Sequence, residues 1–320
     1  MSSSTNSWAG TASLATPERL VVGGLPVAVY GLPALTVPAS ASSGLAVLFL
    51  LHGRGESSQS DYLTTLATKL VESARDKRAQ VSPLGADSGT KRAKDLLVVT
   101  FDQRNHGHRL VNAERNMGWM EGGRKRAAAR KEKGIKPHEL DNEGHAYDMM
   151  AMQTGTSRDV SFLIDFLPPS LFRDDERTVT DWYCSGISLG GHATWLALAH
   201  GPLPLAAPIF PASLLSVFDR FDPASPSLSL DRWKGKKILV LSGEEDKLVN
   251  FVHGKSGVFV ETLKGVEGCH VEAYVQPKAG HECTPEMMER TCEFVWRCGL
   301  NASSGPVTQQ QQQGPHGGKL

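Results

Sequence analysis

The sequence lacks what would mark a fibre, a disulfide scaffold or a membrane protein. Its 320 residues hold five cysteines, at 184, 269, 283, 292 and 298, with no C-x-x-C pair among them. So few, and odd in number, they exclude a disulfide framework and point to thiols in a reducing compartment. No uninterrupted apolar run approaches the roughly 20 residues of a membrane helix, so no transmembrane segment is expected. The first 17 residues carry no charged side chain, and without a basic n-region they do not read as a secretory signal. A cytoplasmic location is the resulting expectation. Net charge is missing too, because 34 Lys and Arg cancel 34 Asp and Glu. Nucleic-acid partners usually demand a strongly basic domain, so none is expected. Cys269-His270 and His281-Glu282-Cys283 do not repeat as a zinc site requires, which argues against a metal. Nothing calls for a cofactor or specifies an oligomeric state.

What is present is a globular chain with polar ends. Residues 1–17 are rich in Ser, Thr and Ala, and 302–320 contain the glutamine run 309–313. Such segments bury too little apolar surface to offset their ordering entropy and are expected to be disordered tails. The 284 residues between, 18–301, fit a single domain. Within it, short apolar runs at 45–51, 96–101, 182–187, 205–210, 238–241 and 271–275 are strand-length and rich in Val, Leu and Ile. Runs of this kind suit strands covered on both faces. Stretches with helical spacing lie between them, marked by Leu63, Leu66 and Leu70, by Val160, Leu163 and Ile164, and by 193–200 and 287–295. The alternation predicts an α/β fold with a doubly wound, mostly parallel sheet flanked by helices. Residues 20–30, with Gly23-Gly24 at their centre, predict an antiparallel hairpin at the sheet edge. The irregular part is 103–157, a long insertion whose segment 124–136 holds seven basic residues and one acid. A solvated surface loop is the plain reading of that segment.

The strongest chemical signal is Gly186-Ile187-Ser188-Leu189-Gly190, set between an apolar strand and a helical stretch. In a strand-to-helix elbow the serine takes strained backbone angles, and flanking glycines remove side chains that would clash. The helix N-terminus then offers free N–H groups to a developing oxyanion. A serine hydroxyl needs a base and an orienting acid to act as a nucleophile. Further along, the run 238–241 leads into Gly243-Glu244-Glu245-Asp246, and 271–275 leads into Lys278-Ala279-Gly280-His281. Ser188, Asp246 and His281 thus each fall just beyond the carboxyl end of a strand, where open parallel sheets gather ligands. Glu245 is the competing acid.

Taken with Leu51-His52-Gly53-Arg54-Gly55 after the first buried run, these elements resemble the α/β-hydrolase superfamily over residues 45–298. The resemblance implies the fold with a short lid, here 211–231, and the long insertion after Asp102. It implies Ser188 as nucleophile, His281 as general base and acid, and Asp246 as the orienting group. The backbone amides of Leu189 and Arg54 would form the oxyanion hole. His52, Gly53, Arg104, His106 and Trp119 are candidates for the substrate pocket, and His138, His145 and Asp148 could face it. Asp102 and Arg104 could instead brace their loop, His52 could structure the oxyanion loop, and His192 could serve packing. The implied activity is hydrolysis of a small-molecule carboxylic ester or thioester through an acyl-enzyme. Two alternatives stand beside it: a serine peptidase, from a looser similarity to prolyl oligopeptidase-type domains, and a receptor-like protein binding a ligand in a hydrolase pocket.

Overall fold

The computed structural model describes residues 14–37, 44–81, 93–117, 128, 131–134, 143–200, 205–209, 230–251 and 255–301. Trp119, His138, the tail 302–320, most of 1–17, most of the basic segment and nearly all of the lid region lie outside these residues. Leu14, four residues ahead of the expected domain start, is buried in the core.

Eight strands form one sheet in the order β1-β2-β4-β3-β5-β6-β7-β8. They are β1 (Glu18–Val22), β2 (Leu25–Tyr30), β3 (Leu45–Leu51), β4 (Asp95–Phe101), β5 (Val179–Ile187), β6 (Leu205–Ile209), β7 (Lys237–Gly243) and β8 (His270–Gln276). β1 and β2 form the expected antiparallel edge hairpin, and β2 runs antiparallel to β4. Its turn rests on Gly23 and Gly24, both at positive φ, which glycine adopts without a Cβ penalty. From β4 to β8 every pairing is parallel.

Every residue of β3 and β4 is buried. Alternate side chains of a strand point to opposite faces, so an unbroken run of Leu and Val feeds two cores at once. Val47, Phe49 and Leu51 join one core with helices α3 (Glu143–Leu171), α4 (Leu189–His200) and α5 (Lys255–Lys264). Ala46, Leu48 and Leu50 join the other with α1 (Asp61–Val81) and α6 (Pro285–Phe294). On the first face Trp195, Trp233 and Phe259 meet edge to face, with ring centroids 5.3–5.6 Å apart. On the second, a π-helical turn, Val295–Leu300, continues α6 and adds Trp296 and Leu300 to the core. The short helix α2 (Ala113–Asn116), capped by the Asn112 side chain on Arg115 N–H, follows β4.

Two expectations need correction. α3 begins at Glu143, well before the helical spacing around Val160, so 143–157 is helix and not loop. Gly144 and Gly155 hide its start because they are poor helix formers, yet Arg104 packs closely over Gly155, where a Cβ would stand 2.4 Å from its side chain. α5 was not foreseen at all. Its Gly257, Val258, Phe259 and Val260 have weak helix propensity, but Gly257 packs against the Phe251 carbonyl and Val260 is fully buried. Tertiary packing overrides local preference in both.

Candidate active site

Ser188 sits between the last residue of β5 and the first of α4 with φ at +52°. For a residue with a Cβ that left-handed conformation costs of order 1–3 kcal/mol and persists only where its surroundings over-determine it. The surroundings do so here. A Cβ on Gly186 would stand 2.3 Å from the Gly190 backbone, and one on Gly190 would stand 2.4 Å from the Leu51 carbonyl oxygen. The elbow therefore presses against the end of β3, which only glycine allows at both positions. From below, the Ser188 carbonyl accepts the His192 backbone N–H at 3.1 Å and its ring Nδ1–H at 2.7 Å.

The loops after β7 and β8 are tied to one another before either reaches the serine. Glu244 N–H donates to Gln276 and Glu245 N–H to Ala279, each at 2.9 Å. A Cβ on Gly243 would lie 2.3 Å from the Gly280 carbonyl oxygen, so Gly243 is what lets the two loops touch. The result is a chain of hydrogen bonds. Ser188 Oγ lies 2.9 Å from His281 Nε2, and His281 Nδ1 lies 2.8 Å from Asp246 Oδ2. Asp246 is fully buried, and its other oxygen accepts the Leu248 and Val249 N–H groups at 2.8 and 2.9 Å. Such bonds fix the carboxylate's orientation toward the imidazole. Glu245 is exposed and does not take this place. Cys283, two residues past His281, is pushed up to about 12 by burial, so its thiol stays protonated and offers no rival nucleophile.

Leu189 opens α4, so its N–H has no intrahelical acceptor. Across from it, the Gly53 N–H is taken by the Tyr62 hydroxyl at 2.9 Å, whereas no acceptor among the described residues takes the Arg54 N–H. A Cβ on Gly53 would stand 3.7 Å from Ser188 Cβ, which brings this loop against the serine.

Three of the expected pocket residues are used elsewhere. His52 is fully buried; its Nδ1–H donates to the Gly53 carbonyl at 2.7 Å and its Nε2 accepts the Gln103 N–H at 3.0 Å. Burial, which the Gly53 bond does not offset, lowers its pKa to about 4. It is a neutral strut between the loops after β3 and β4. His106 packs on it at 5.2 Å, and its ring nitrogens lie 3.0 Å from the Arg104 carbonyl and 3.1 Å from Asn116 Nδ2. Arg104 reaches away to Asp159 on α3, at 3.0 Å, where Arg109 joins it at 2.8 Å. Asp102 also braces: burial pushes its pKa up, but bonds from Ser58 and His108 outweigh this and hold it low. His145 bonds the Arg115 carbonyl at 3.1 Å, and Asp148 accepts from Asn105 at 3.2 Å. Sequence reasoning missed Tyr62, Gln103 and Gly243, whose roles depend on partners distant in the chain.

Among the described residues one trio, His270, Glu272 and Cys298, has donor atoms within 4.8 Å of one another. Glu272 is already held by Arg297 at 2.8 Å on both oxygens and by His270 at 2.6 Å, so a cation would have to displace a guanidinium. No described helix is long and apolar enough to cross a membrane.

A mixed sheet of this strand order, with a serine elbow after β5 and helices on both faces, has the α/β-hydrolase fold. Solved structures agree. The chain aligns with TT1662 from Thermus thermophilus at a TM-score of 0.53 and 17% identity, covering 87% of this chain and 95% of that one. It aligns with the acylaminoacyl peptidase of Pyrococcus horikoshii at 0.50 and 14% identity, covering 91% of this chain but 42% of that one. At such identities the likeness is one of fold. No protein-family model and no curated protein matches the sequence.

Proposed function

We propose that this protein is a serine hydrolase that cleaves a carboxylic ester, or a thioester, through an acyl-enzyme. The observation that carries the reading is the unbroken chain from Ser188 Oγ through His281 to Asp246, at 2.9 and 2.8 Å, with the serine at positive φ. Ser188 attacks the carbonyl carbon while His281 Nε2 takes its proton; Asp246 holds the imidazole in the tautomer that can accept it. The tetrahedral oxyanion is stabilised by the N–H groups of Leu189 and Arg54, each such donor contributing about 2.7–4 kcal/mol. His281 then protonates the departing alcohol, and water completes the cycle in the reverse sense. All five cysteines are free, which suits a reducing compartment, and we place the protein in the cytoplasm.

Paired 4-nitrophenyl esters and aminoacyl-4-nitroanilides test the reading. Wild-type turnover of esters well above anilides, abolished in Ser188→Ala, is expected. Turnover that survives in Ser188→Ala overturns the mechanism, and a preference for anilides replaces esterase with peptidase. Saturable ligand binding without turnover would favour a receptor.

A further inference from the structure

We propose that the Arg54 side chain makes this site selective for esters that carry a carboxylate, the guanidinium binding that group while the main chain of the same residue faces the oxyanion. The inference rests on the hydrolase reading and names the substrate class within it.

Arg54 directly follows Gly53 in the loop that lies against Ser188, and its side chain is exposed. Among the described residues its guanidinium meets no carboxylate. Its one hydrogen bond is from Nη1 to the Asn116 main-chain carbonyl, at 2.9 Å. Two other arginines at this end of the sheet do have a carboxylate, since Arg104 and Arg109 share Asp159. Asp148 acts on both His106 and His145, as does Arg54, and Asp102 acts on His106 as well. Asp148 is bonded to Asn105 and makes no ion pair with Arg54 among the described residues. Burial and then the Arg54 charge keep those two imidazoles in the neutral form, so they do not compete for an anion.

The residue that holds the guanidinium is itself incompletely satisfied. The Asn116 amide is oriented by its Nδ2, which donates to the Asn105 carbonyl and to His106 Nε2, each at 3.1 Å. Its Oδ1 is buried and has no partner. Buried acceptors are normally satisfied, and this unused one belongs to the residue whose main-chain carbonyl holds the Arg54 guanidinium. A single planar guanidinium with one N–H already spent matches one carboxylate in bidentate geometry better than a dianion. The substrate class is therefore a monoanionic ester whose carboxylate reaches the Arg54 guanidinium.

Rates on matched esters decide the matter. Mono-4-nitrophenyl glutarate is compared with 4-nitrophenyl valerate for an anion on the acyl side. The butyrate of 4-hydroxybenzoate is compared with that of its methyl ester for the alcohol side. The readout is the anionic-to-neutral ratio of kcat/KM within each variant, so changes at the oxyanion hole cancel. Wild type should favour the anion on one side by roughly tenfold or more, about 1.4 kcal/mol. The ratio should fall to about one in Arg54→Gln and be partly kept in Arg54→Lys. A wild-type ratio near one on both sides, or a preference retained in Arg54→Gln, overturns the proposal. If no ester is turned over, the hydrolase reading fails, and calorimetric titration with valerate, a monoanion, judges Arg54 separately. Saturable binding lost in Arg54→Gln then supports it, and absent or unchanged binding overturns it.

Discussion

His281 and His52 both stand at the carboxyl end of the sheet and are both held through Nδ1, yet the other ring nitrogen has opposite fates. In His281 it reaches a serine hydroxyl at 2.9 Å, and the side chain keeps 25% of its surface exposed. In His52 it accepts the Gln103 main-chain N–H and the residue is wholly buried. The partners on Nδ1 differ as well, a carboxylate for His281 and a neutral carbonyl for His52. A carboxylate stabilises the imidazolium that proton transfer creates; a carbonyl in a dry site does so far less. On the proposed reading, one region moves a proton and the other holds a loop.

The largest effect should come from removing that difference. Asp246→Asn weakens the support for an imidazolium and allows the wrong tautomer; kcat should fall by about ten-thousand-fold with the melting temperature little changed. Steady-state ester kinetics with a thermal melt checks this, and a loss below tenfold would mean that Asp246 is not the orienting group. His52→Leu should do the reverse. It strands the Gln103 N–H and the Gly53 carbonyl, each buried orphan costing about 1–3 kcal/mol. Urea denaturation should show the loss, while the pH profile of kcat/KM keeps its shape. A displaced profile would put His52 into proton transfer.

Acid should reveal the bracing imidazoles. His52 and His192 have pKa values near 4 through burial, against 6.5 in the unfolded chain. Below 6.5 the unfolded state binds protons that the native state refuses, so their contribution is present above that pH and is lost as pH falls toward 4. The slope reaches at most about 1.4 kcal/mol per pH unit for each imidazole. Denaturation midpoints at pH 7, 6 and 5 measure it, and flat midpoints would deny that both rings stay neutral. Least affected should be Arg104→Met. Arg104 is half exposed and Arg109 still holds Asp159, so the stability change should stay below about 1 kcal/mol, as read by the same denaturation curves.

The two regions also differ in how legible they were. Ser188, Asp246 and His281 could be placed because each follows an apolar strand and carries its glycine signature, and strand ends are where a parallel sheet gathers its chemistry. The hairpin and the strand alternation were legible for a like reason, since period and turn residues are local signals. The brace was not. His52 and Gln103 meet across 51 positions, and Arg104 and Asp159 across 55, so the sequence offered bracing as an alternative for His52, Asp102 and Arg104 without showing their partners. The start of α3 and the whole of α5 were hidden by glycines that helix propensity disfavours, Gly155 and Gly257 being ones whose packing leaves little room for a Cβ.

The central claim is that Ser188 is an activated nucleophile. Intact-mass and peptide mapping after reaction with a fluorophosphonate test it most directly. One adduct, carried by Ser188 and absent in Ser188→Ala, is the predicted result. A folded protein that remains unlabelled, or is labelled at another residue, would contradict the account.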